Sequence, residues 1–245
     1  MKIVGVIPAR YKSSRFEGKP LALINSKPMI IHVLEQVEKA IGKENTFVAT
    51  DDKRIHDLVK SKGYNSVITP ESCATGTDRI WEFAKQIDAD IYLNIQGDEP
   101  MVSPIDILSV IEVKKKNMNC VINGMLPISK SEDPNDINIP KVLVNKNNDL
   151  IYMSRLPLPG VKDLANKTKP LFLKQVCIYA FNFEQLKTFG INNKKSSFEA
   201  FEDIEILRFM DSDIKVKMVM METETIAVDN PGDIIKVENA IKLRK

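Results

Sequence analysis

The sequence of 245 residues has few cysteines and no long apolar run. Its three cysteines, Cys73, Cys120 and Cys177, are widely spaced and form no CxxC pair, which indicates a reduced protein without a disulfide framework. No stretch approaches about 18 consecutive apolar residues, so there is no candidate for a membrane-spanning helix. The apolar start is interrupted too soon, by Pro8 and Arg10, to be a signal peptide. We therefore expect a cytoplasmic protein with no membrane partner.

An excess of charge of one sign is also missing. The chain has 35 basic and 33 acidic residues, a net charge of +2, which gives no electrostatic reason to expect nucleic acid as a partner. Two well-known phosphate motifs are absent: neither GxxxxGK followed by Ser or Thr nor GxGxxG occurs after the first apolar segment. The hydrophobic content of 43% and the length fit one large α/β domain, or one domain with a subdomain.

Positive charge is instead concentrated in one loop. The apolar segment Ile3–Ile7 is typical of a buried strand, and the loop after it holds Arg10, Lys12, Arg15 and Lys19 among small residues. Open α/β sheets bind anions at this position, where cations and backbone N–H groups can reach phosphate oxygens. The loop predicts a nucleoside-triphosphate or sugar-phosphate enzyme, although a solvated loop after an edge strand would explain the same residues.

Strand and helix signals alternate through the first half of the chain. Four successive βα units predict an α/β fold with a doubly wound, mostly parallel sheet. The predicted strands are Lys2–Ile7, Thr46–Thr50, Asn65–Thr69 and Asp90–Ile95. The predicted helices are Pro28–Ile41, Arg54–Lys62, Thr77–Gln86 and Ile105–Lys116.

The second half is richer in β-strand signals, and no linker divides it from the first. We expect a single domain over residues 1–245, with a smaller β-rich insertion or dimer region at roughly 120–182. The irregular segment Met153–Phe172 is typical of a lid, a binding loop or an oligomer contact. The predicted strands are Cys120–Ile128, Lys141–Val144, Lys174–Phe181 and Ile214–Met220, and the predicted helices are Glu199–Met210 and Pro231–Leu243.

Two aspartates that follow predicted strands are candidate metal ligands. Asp98 lies in the turn Asn94–Pro100, and Asp229 follows the short strand Ile226–Val228. Carboxylates at strand ends of nucleotide enzymes commonly hold Mg²⁺. Turn chemistry explains Asp98 equally well, and the N-cap of the following helix explains Asp229. The fold would have to bring the two together.

The predicted helix Glu199–Met210 carries charge on its apolar side. Helical spacing places Glu205 and Arg208 in the same arc as three phenylalanines. They either pair with each other structurally or line a polar pocket. The phenylalanines of the apolar side are Phe198, Phe201 and Phe209, and the residues expected on the solvent side are Glu199, Glu202 and Asp203.

Short motifs occur in a specific order along the whole chain. They are Ile7-Pro8-Ala9-Arg10-Tyr11-Lys12-Ser13-Ser14-Arg15, Gly18–Leu21, Lys27–Ile30, Val48–Asp52, Thr75–Arg79, Asn94–Pro100, Tyr152–Arg155, Ile178-Tyr179, Leu207-Arg208 and Val228–Pro231. In this order they resemble the 3-deoxy-manno-octulosonate (Kdo) cytidylyltransferase family, also called CMP-Kdo synthetases.

The resemblance implies a Rossmann-like nucleotidyltransferase, usually a homodimer. It implies transfer of CMP from CTP to the anomeric hydroxyl of a 2-keto-3-deoxy sugar acid, with release of pyrophosphate, for lipopolysaccharide or capsule synthesis. Arg10, Lys19 and Asp98 would be catalytic, and Mg²⁺ would be the cofactor, held by Asp98 and Asp229. The implied nucleotide-binding residues are Ala9, Arg10, Ser13, Lys19, Thr75, Gly76, Thr77 and Arg79. The implied sugar-binding residues are Gln96, Arg155, Gln175, Tyr179 and Glu205.

Departures from the family pattern are concentrated on the implied sugar side. The expected basic-His-x-Gly-Ile-Tyr-x-Tyr has Gln175, Cys177 and Phe181 at its His, Gly and last Tyr, and Ile206 replaces a Gln in Glu-Gln-Leu-Arg. A site built to bond a hydroxyl discriminates strongly against substrates that lack it. CTP use is therefore expected, while the acceptor is either Kdo or another acidic sugar such as an amino-Kdo or a nonulosonate. A non-catalytic nucleotide-binding relative is a further alternative.

Overall fold

A computed structural model gives the structure of the protein and describes residues 1–13, 15–130, 132–162, 170–191 and 194–243. The strands are β1 (Ile3–Ala9), β2 (Leu23–Ile24), β3 (Lys27–Pro28), β4 (Thr46–Thr50), β5 (Asn65–Ile68), β6 (Ile91–Ile95), β7 (Val121–Pro127), β8 (Lys141–Val144), β9 (Leu150–Ser154), β10 (Leu173–Phe181) and β11 (Val216–Met220). The α-helices are α1 (Met29–Ile41), α2 (Lys53–Ser61), α3 (Gly76–Ala84), α4 (Pro104–Lys116), α5 (Phe183–Gly190), α6 (Ser197–Glu202), α7 (Leu207–Asp211) and α8 (Asp233–Leu243).

A central mixed sheet organises the molecule, with strand order β11-β7-β10-β6-β1-β4-β5. The pairs among β6, β1, β4 and β5 are parallel, as is the pair of β7 and β11. Strand β10 runs antiparallel to both of its neighbours in this order, β6 and β7. The prediction of a doubly wound, mostly parallel α/β fold with four successive βα units is confirmed.

Alternate residues of the central strands pack on opposite faces of the sheet. In β1, Val4 and Val6 join the apolar cluster that includes residues of α3, α5 and α7, whereas Ile7 joins the cluster that includes residues of α1, α2 and α4. Since helices cover both faces, nearly every position of a central strand is apolar. Gly5 has no side chain because a Cβ there would lie 2.6 Å from Val37 Cγ1 of α1.

The region around β8 and β9 extends from the central sheet. Strands β7 and β10 belong to the central sheet, while β8 pairs with β10 and β9 pairs with β8. Of the predicted irregular segment Met153–Phe172, residues 153–154 belong to β9, and residues 155–162 and 170–172 form neither helix nor strand. Residues 163–169 lie outside the described residues, as does Ser14 of the cationic loop.

The predicted continuous helix Glu199–Met210 is wrong. Helix α6 ends at Glu202, Asp203 has a left-handed backbone with φ of 51°, and α7 begins only at Leu207. The expected faces are wrong as well, because Glu199 is 1% exposed and Phe201 is 91% exposed. Buried ion pairs and hydrogen bonds of Glu199 and Glu205 override the apolar periodicity from which the helix was predicted.

Helices long and apolar enough to cross a membrane are absent from the described part of the chain. Besides the helix break, the sequence analysis missed β9, the short hairpin of β2 and β3, and α5. The predicted strand Ile226–Val228 is wrong, because these residues form neither helix nor strand. Helix α5 begins with a capping box, in which the Asn182 side chain accepts from Gln185 N–H and the Gln185 side chain accepts from Asn182 N–H.

Candidate active site

A cleft of about 420 Å³ opens at the carboxyl edge of the parallel strands. The loop after β1, the N-terminus of α3 and the turn after β6 meet there, because parallel strands deliver their following loops to one edge of a sheet. Residues between α5 and α7, namely Lys195, Asp203 and Glu205, also line the cleft. The cleft lining includes ten predicted site residues: Ala9, Arg10, Ser13, Lys19, Thr75, Gly76, Arg79, Gln96, Asp98 and Glu205.

The cationic loop folds back on itself and faces this cleft. Gly18, with φ of 68°, donates its N–H to Tyr11 O at 2.9 Å, which closes the loop before Lys19. Arg10, Arg15 and Lys19 line the cleft. The arrangement does not match a loop whose cations only face solvent, and it provides countercharge for a polyanion.

Asp98 and Asp229 lie close together and each is paired with a cation of this loop. Val228 N–H donates to Asp98 O at 2.9 Å, so the residue before Asp229 is held against Asp98. Lys19 Nζ contacts Asp98 Oδ2 at 2.8 Å, and Arg15 Nη2 contacts Asp229 Oδ1 at 3.0 Å. The fold therefore brings together Asp98 and Asp229, which are far apart in the sequence.

Asp229 does not act as the N-cap of the last helix. Its carboxylate pairs with Arg15, whereas the carboxylate of Asp233 accepts the N–H groups of Asp229 and Asn230. The alternative in which Asp229 serves only as a cap is therefore wrong.

The donor set around Asp98 and Asp229 is compatible with Mg²⁺. No cluster of three or more His, Cys, Asp or Glu residues that could hold a metal occurs in the described ranges. Mg²⁺ is commonly held by one or two carboxylates together with substrate phosphates and water, rather than by a cage of protein ligands. Two partly exposed carboxylates fit this mode: Asp98 lines the cleft, and Asp229 lies outside the lining but pairs with Arg15, which lines it.

The N-terminus of α3 forms a second wall and is held by Glu205. Thr75 forms a capping box with Asp78, and the Glu205 carboxylate accepts from Gly76 N–H at 3.1 Å and Thr77 N–H at 2.8 Å. Burial raises the pKa of the Glu205 carboxyl, while its hydrogen bonds to Thr77 and Gly76 oppose the rise. A side chain at Gly76 would displace the Gln96 amide from the cleft, since a Cβ would lie 2.7 Å from Gln96 Nε2.

Two of the predicted nucleotide residues are engaged inside the protein. Thr77 is buried and does not line the cleft. Arg79 lines the cleft, but its guanidinium already donates to Asp51 at 2.8 Å and to Thr69 Oγ1 at 2.6 Å. These contacts tie the segment after β5 to the end of β4.

Arg208 pairs structurally, whereas Glu205 lines the cleft. Arg208 donates to both carboxylate oxygens of Glu199, at 2.6 and 2.7 Å, and to Asp78 at 2.9 Å. Burial lowers the pKa of the guanidinium, but Glu199 and Asp78 outweigh it and raise the pKa above its ordinary value. The network fastens α7 to α3 and α6, and so fixes the position of Glu205.

Three predicted sugar residues lie outside the cleft lining. Arg155 donates to the main-chain oxygens of Glu202, Ile137 and Asp203, and the Gln175 amide donates to Asn123 Oδ1 at 2.9 Å. Tyr179 is buried and stacked against Phe181. Burial raises the pKa of Tyr179, and the neighbouring Cys177 and Glu205 raise it further. A role of these three toward a sugar stays a prediction.

Some residues at the cleft were missed by the sequence analysis. Lys195 and Asp203 line it and form an ion pair, but a continuous helix would have turned Asp203 to solvent. Glu99, the residue after Asp98, is buried, and its Oε2 has no hydrogen-bond partner among the described residues. Burial, then the Asp98 charge, raises the pKa of Glu99 to about 7. Only the adjacency of Glu99 to Asp98 could have drawn attention to it.

Comparisons with known proteins identify relatives of the chain. The profile of a family described as cytidylyltransferase matches residues 4–226. A 3-deoxy-manno-octulosonate cytidylyltransferase of Geotalea daltonii is 38% identical over 100% of both chains. One of Escherichia coli is 35% identical over 96% of this chain and 94% of its own.

Solved structures also resemble this chain. A CMP:2-keto-3-deoxy-manno-octonic acid synthetase complexed with CTP superposes with a TM-score of 0.91 at 36% identity, and 100% of each chain is covered. A putative glucose-1-phosphate thymidylyltransferase from Bacillus anthracis has a TM-score of 0.68 at 15% identity, over 98% of this chain and 94% of that one, which indicates a shared fold alone.

Proposed function

The chain belongs to the 3-deoxy-manno-octulosonate cytidylyltransferase family, and on that basis we propose that it transfers CMP from CTP to the anomeric hydroxyl of Kdo, releasing pyrophosphate. The observation that carries this proposal is the convergence of Arg10, Lys19 and Asp98 with the N-terminus of α3 in one cleft. A relative with 36% identity over its full length is complexed with CTP.

In the transfer, the anomeric oxygen attacks the α-phosphorus of CTP. The bond from this phosphorus to the bridging oxygen of the β-phosphate breaks, pyrophosphate leaves, and the hydroxyl proton is released. Phosphoryl transfer depends mainly on positioning and charge neutralisation. Arg10 and Lys19 neutralise the leaving pyrophosphate, and Thr75, Gly76 and Gln96 line the same cleft.

We assign Asp98 and Asp229 as the residues that would hold Mg²⁺. When bound, Mg²⁺ supplies countercharge to the phosphates and makes the attacking hydroxyl more acidic. No histidine is needed as a base: His32 is hydrogen-bonded to Ile24 O, and His56 to Ser66. In this assignment Asp98 and Asp229 bind the cation, and Arg10 and Lys19 bind the phosphates.

The direct test is pyrophosphate release from CTP and Mg²⁺ with three separate acceptors: Kdo, its 8-amino analogue and a nonulosonate. Release with Kdo at an ordinary Michaelis constant supports the proposal. Release with another sugar acid alone would transfer the assignment to that acceptor and make Gln175, Cys177 and Ile206 the first positions to exchange. CTP binding without release from any acceptor would favour a non-catalytic nucleotide-binding relative. Omission of the acceptor and replacement of CTP by UTP are the controls.

We further propose that the chain acts as a homodimer. Exposed apolar groups are commonly covered by another chain. Exposed apolar side chains on α6 and on the segments that Arg155 links to it form what we term the β9 patch: Ile137, Leu156, Phe198 and Phe201. A second copy of the chain is the occupant that this surface supports.

A further inference from the structure

Both candidate metal carboxylates already hold a cation supplied by the loop after β1. Lys19 Nζ donates to Asp98 Oδ2 at 2.8 Å and to Val228 O at 2.9 Å. Arg15 Nη2 lies 3.0 Å from Asp229 Oδ1. Each of the two carboxylates that would bind a divalent cation is thus already paired with one positive charge.

The same two cations line the cleft in which a triphosphate would lie. An ammonium has three N–H donors, and Lys19 uses two of them on Asp98 and Val228. Phosphate oxygens would compete with the Asp98 carboxylate for this side chain. Arg10 also lines the cleft, and among the described residues it makes no ion pair, so it can receive phosphate without giving up a partner.

We propose that Lys19 and Arg15 are exchangeable counterions that couple nucleotide binding to metal binding. Without nucleotide they neutralise Asp98 and Asp229 and compete with a divalent cation. A bound triphosphate withdraws them onto its own oxygens and frees both carboxylates. Triphosphate and metal therefore bind with positive coupling, each increasing the affinity for the other by the same factor. The identity of the nucleotide rests on the proposed function, while the competition for the carboxylates does not.

The Lys19–Asp98 and Arg15–Asp229 pairs should weaken metal binding to different extents. The side chains of Lys19 and Asp98 are 17% and 27% exposed, whereas those of Arg15 and Asp229 are 59% and 39% exposed. Exposed ion pairs are screened by water and contribute little. Removal of Lys19 should therefore affect metal affinity more than removal of Arg15.

The experiment measures Mn²⁺ binding to the nucleotide-free protein by electron paramagnetic resonance of the unbound ion. We expect Lys19→Met to lower the Mn²⁺ dissociation constant by about 5-fold or more, the lower end of typical coupling between sites. Arg15→Met should lower it by a smaller factor. The matched control is Lys12→Met, which removes the same charge from the same loop, where Lys12 pairs with Glu71 on the surface. It should change the constant by less than about 2-fold, the effect of an exposed charge.

A double variant tests whether the tighter Mn²⁺ binding of Lys19→Met depends on Asp98. In Lys19→Met combined with Asp98→Asn, the tighter Mn²⁺ binding should be lost, as expected for two directly interacting groups. Circular dichroism and thermal unfolding verify the fold of each variant. If Lys19→Met does not fold, Arg15→Met against Lys12→Met carries the same comparison.

The reciprocal measurement uses CTP in EDTA. Asp98→Asn should bind CTP more tightly than the wild type, because Lys19 no longer has a charged partner. Mn²⁺ binding to Lys19→Met no tighter than to Lys12→Met, or metal-free CTP binding unchanged in Asp98→Asn, would overturn the proposal. The Mn²⁺ titration involves neither nucleotide nor turnover, so its outcome is separate from a failure of the chain to release pyrophosphate.

Discussion

Glu205 and Arg79 illustrate how charged side chains of the cleft are held. Glu205 accepts two N–H groups of α3, and Arg79 is bound to Asp51. Hydrogen bonds and ion pairs of this kind restrict rotamers before a ligand arrives. Such preorganisation lets charged groups stabilise a transition state with little rearrangement.

At this scale we expect Asp98→Asn to reduce turnover by at least about 100-fold, the effect typical of losing one well-placed charged or polar group. The substitution keeps the shape of the side chain and removes its charge, so the fold should survive. Pyrophosphate release and circular dichroism measure the two properties. The charge-matched control is Asp90→Asn, just before β6 at the opposite edge of the sheet, where Asp90 accepts from Lys2 N–H. Near-normal turnover of Asp98→Asn would show that the metal assignment is wrong.

Replacement of Glu205 should affect stability and nucleotide affinity together. In Glu205→Ala, the N–H groups of Gly76 and Thr77 lose their acceptor. The buried Thr77 N–H left unpaired costs about 1–3 kcal/mol, and the half-buried Gly76 N–H costs less. We expect a melting temperature lower by a few degrees and a raised KM for CTP, because the wall formed by α3 loosens. Glu205→Gln retains one acceptor oxygen and should lose less of both. Equal stability of Glu205→Ala and the wild type would contradict this role.

Residues of the cleft differ in how far the sequence could predict them. Arg10, Lys19, Thr75 and Asp98 stand in short motifs beside strand ends, and the fold places all four at the cleft. The contacts of Asp229 with Arg15, and the approach of Lys195, join segments that are distant along the chain. No local spacing encodes such pairs, because they depend on how the elements pack.

The same division holds for the helices and strands. The predicted elements from β1 to α4 lie within two residues of the observed ones, because apolar strands and amphipathic helices alternate there with clear turn signals. The break between α6 and α7 was not predictable from periodicity. It is stabilised by the bonds of Glu199 to Arg208 and of Glu205 to α3, which are tertiary contacts.

Lys114 shows how elements are joined by a buried charge. This residue of α4 has no exposed surface, and its ammonium donates to Met118 O, Cys120 O and Gln185 Oε1 of α5. Burial lowers the pKa of Lys114 from 10.5 to about 7. No carboxylate contacts this ammonium among the described residues, so desolvation dominates.

The stability of the protein should therefore depend on pH through Lys114. In the unfolded chain Lys114 keeps its proton up to about pH 10.5, whereas the folded chain releases it from about pH 7. Between these values the unfolded state binds more protons, so the free energy of unfolding rises with pH. Relative to Lys114→Met, the wild type should gain on the order of 1–2 kcal/mol between about pH 7 and 9. Urea unfolding at several pH values measures this difference, and a pH-independent difference would refute the shift.

The whole molecule combines a catalytic edge with the β9 patch elsewhere on its surface. Residues of α6 belong to the patch, while Asp203, directly after α6, lines the cleft. The segment from α6 to Asp203 therefore contributes residues both to the β9 patch and to the cleft. An assembly of two chains through the patch would hold α6, and with it one wall of the cleft, in place.

We expect Phe201→Glu to convert a dimer into a monomer. Phe201 is 91% exposed, so the substitution should leave the isolated chain folded, while a charge within an apolar interface opposes association. Light scattering after size-exclusion chromatography measures the mass. Leu243→Glu is the control, since Leu243 is 89% exposed on α8, outside the patch. A monomeric wild type, or a dimeric Phe201→Glu variant, would contradict the assignment.

Strand β10 lies between β6 and β7 although it follows both in the chain. During synthesis, β6 and β7 emerge from the ribosome without their shared neighbour, and the sheet cannot close until β10 follows. Arg10 and Asp229 are more than 200 residues apart, which corresponds to about 10 to 45 s of translation at common elongation rates. The nascent chain thus carries the anion-binding loop early and gains its second carboxylate late, so an unfinished product has no complete cleft with which to consume nucleotide.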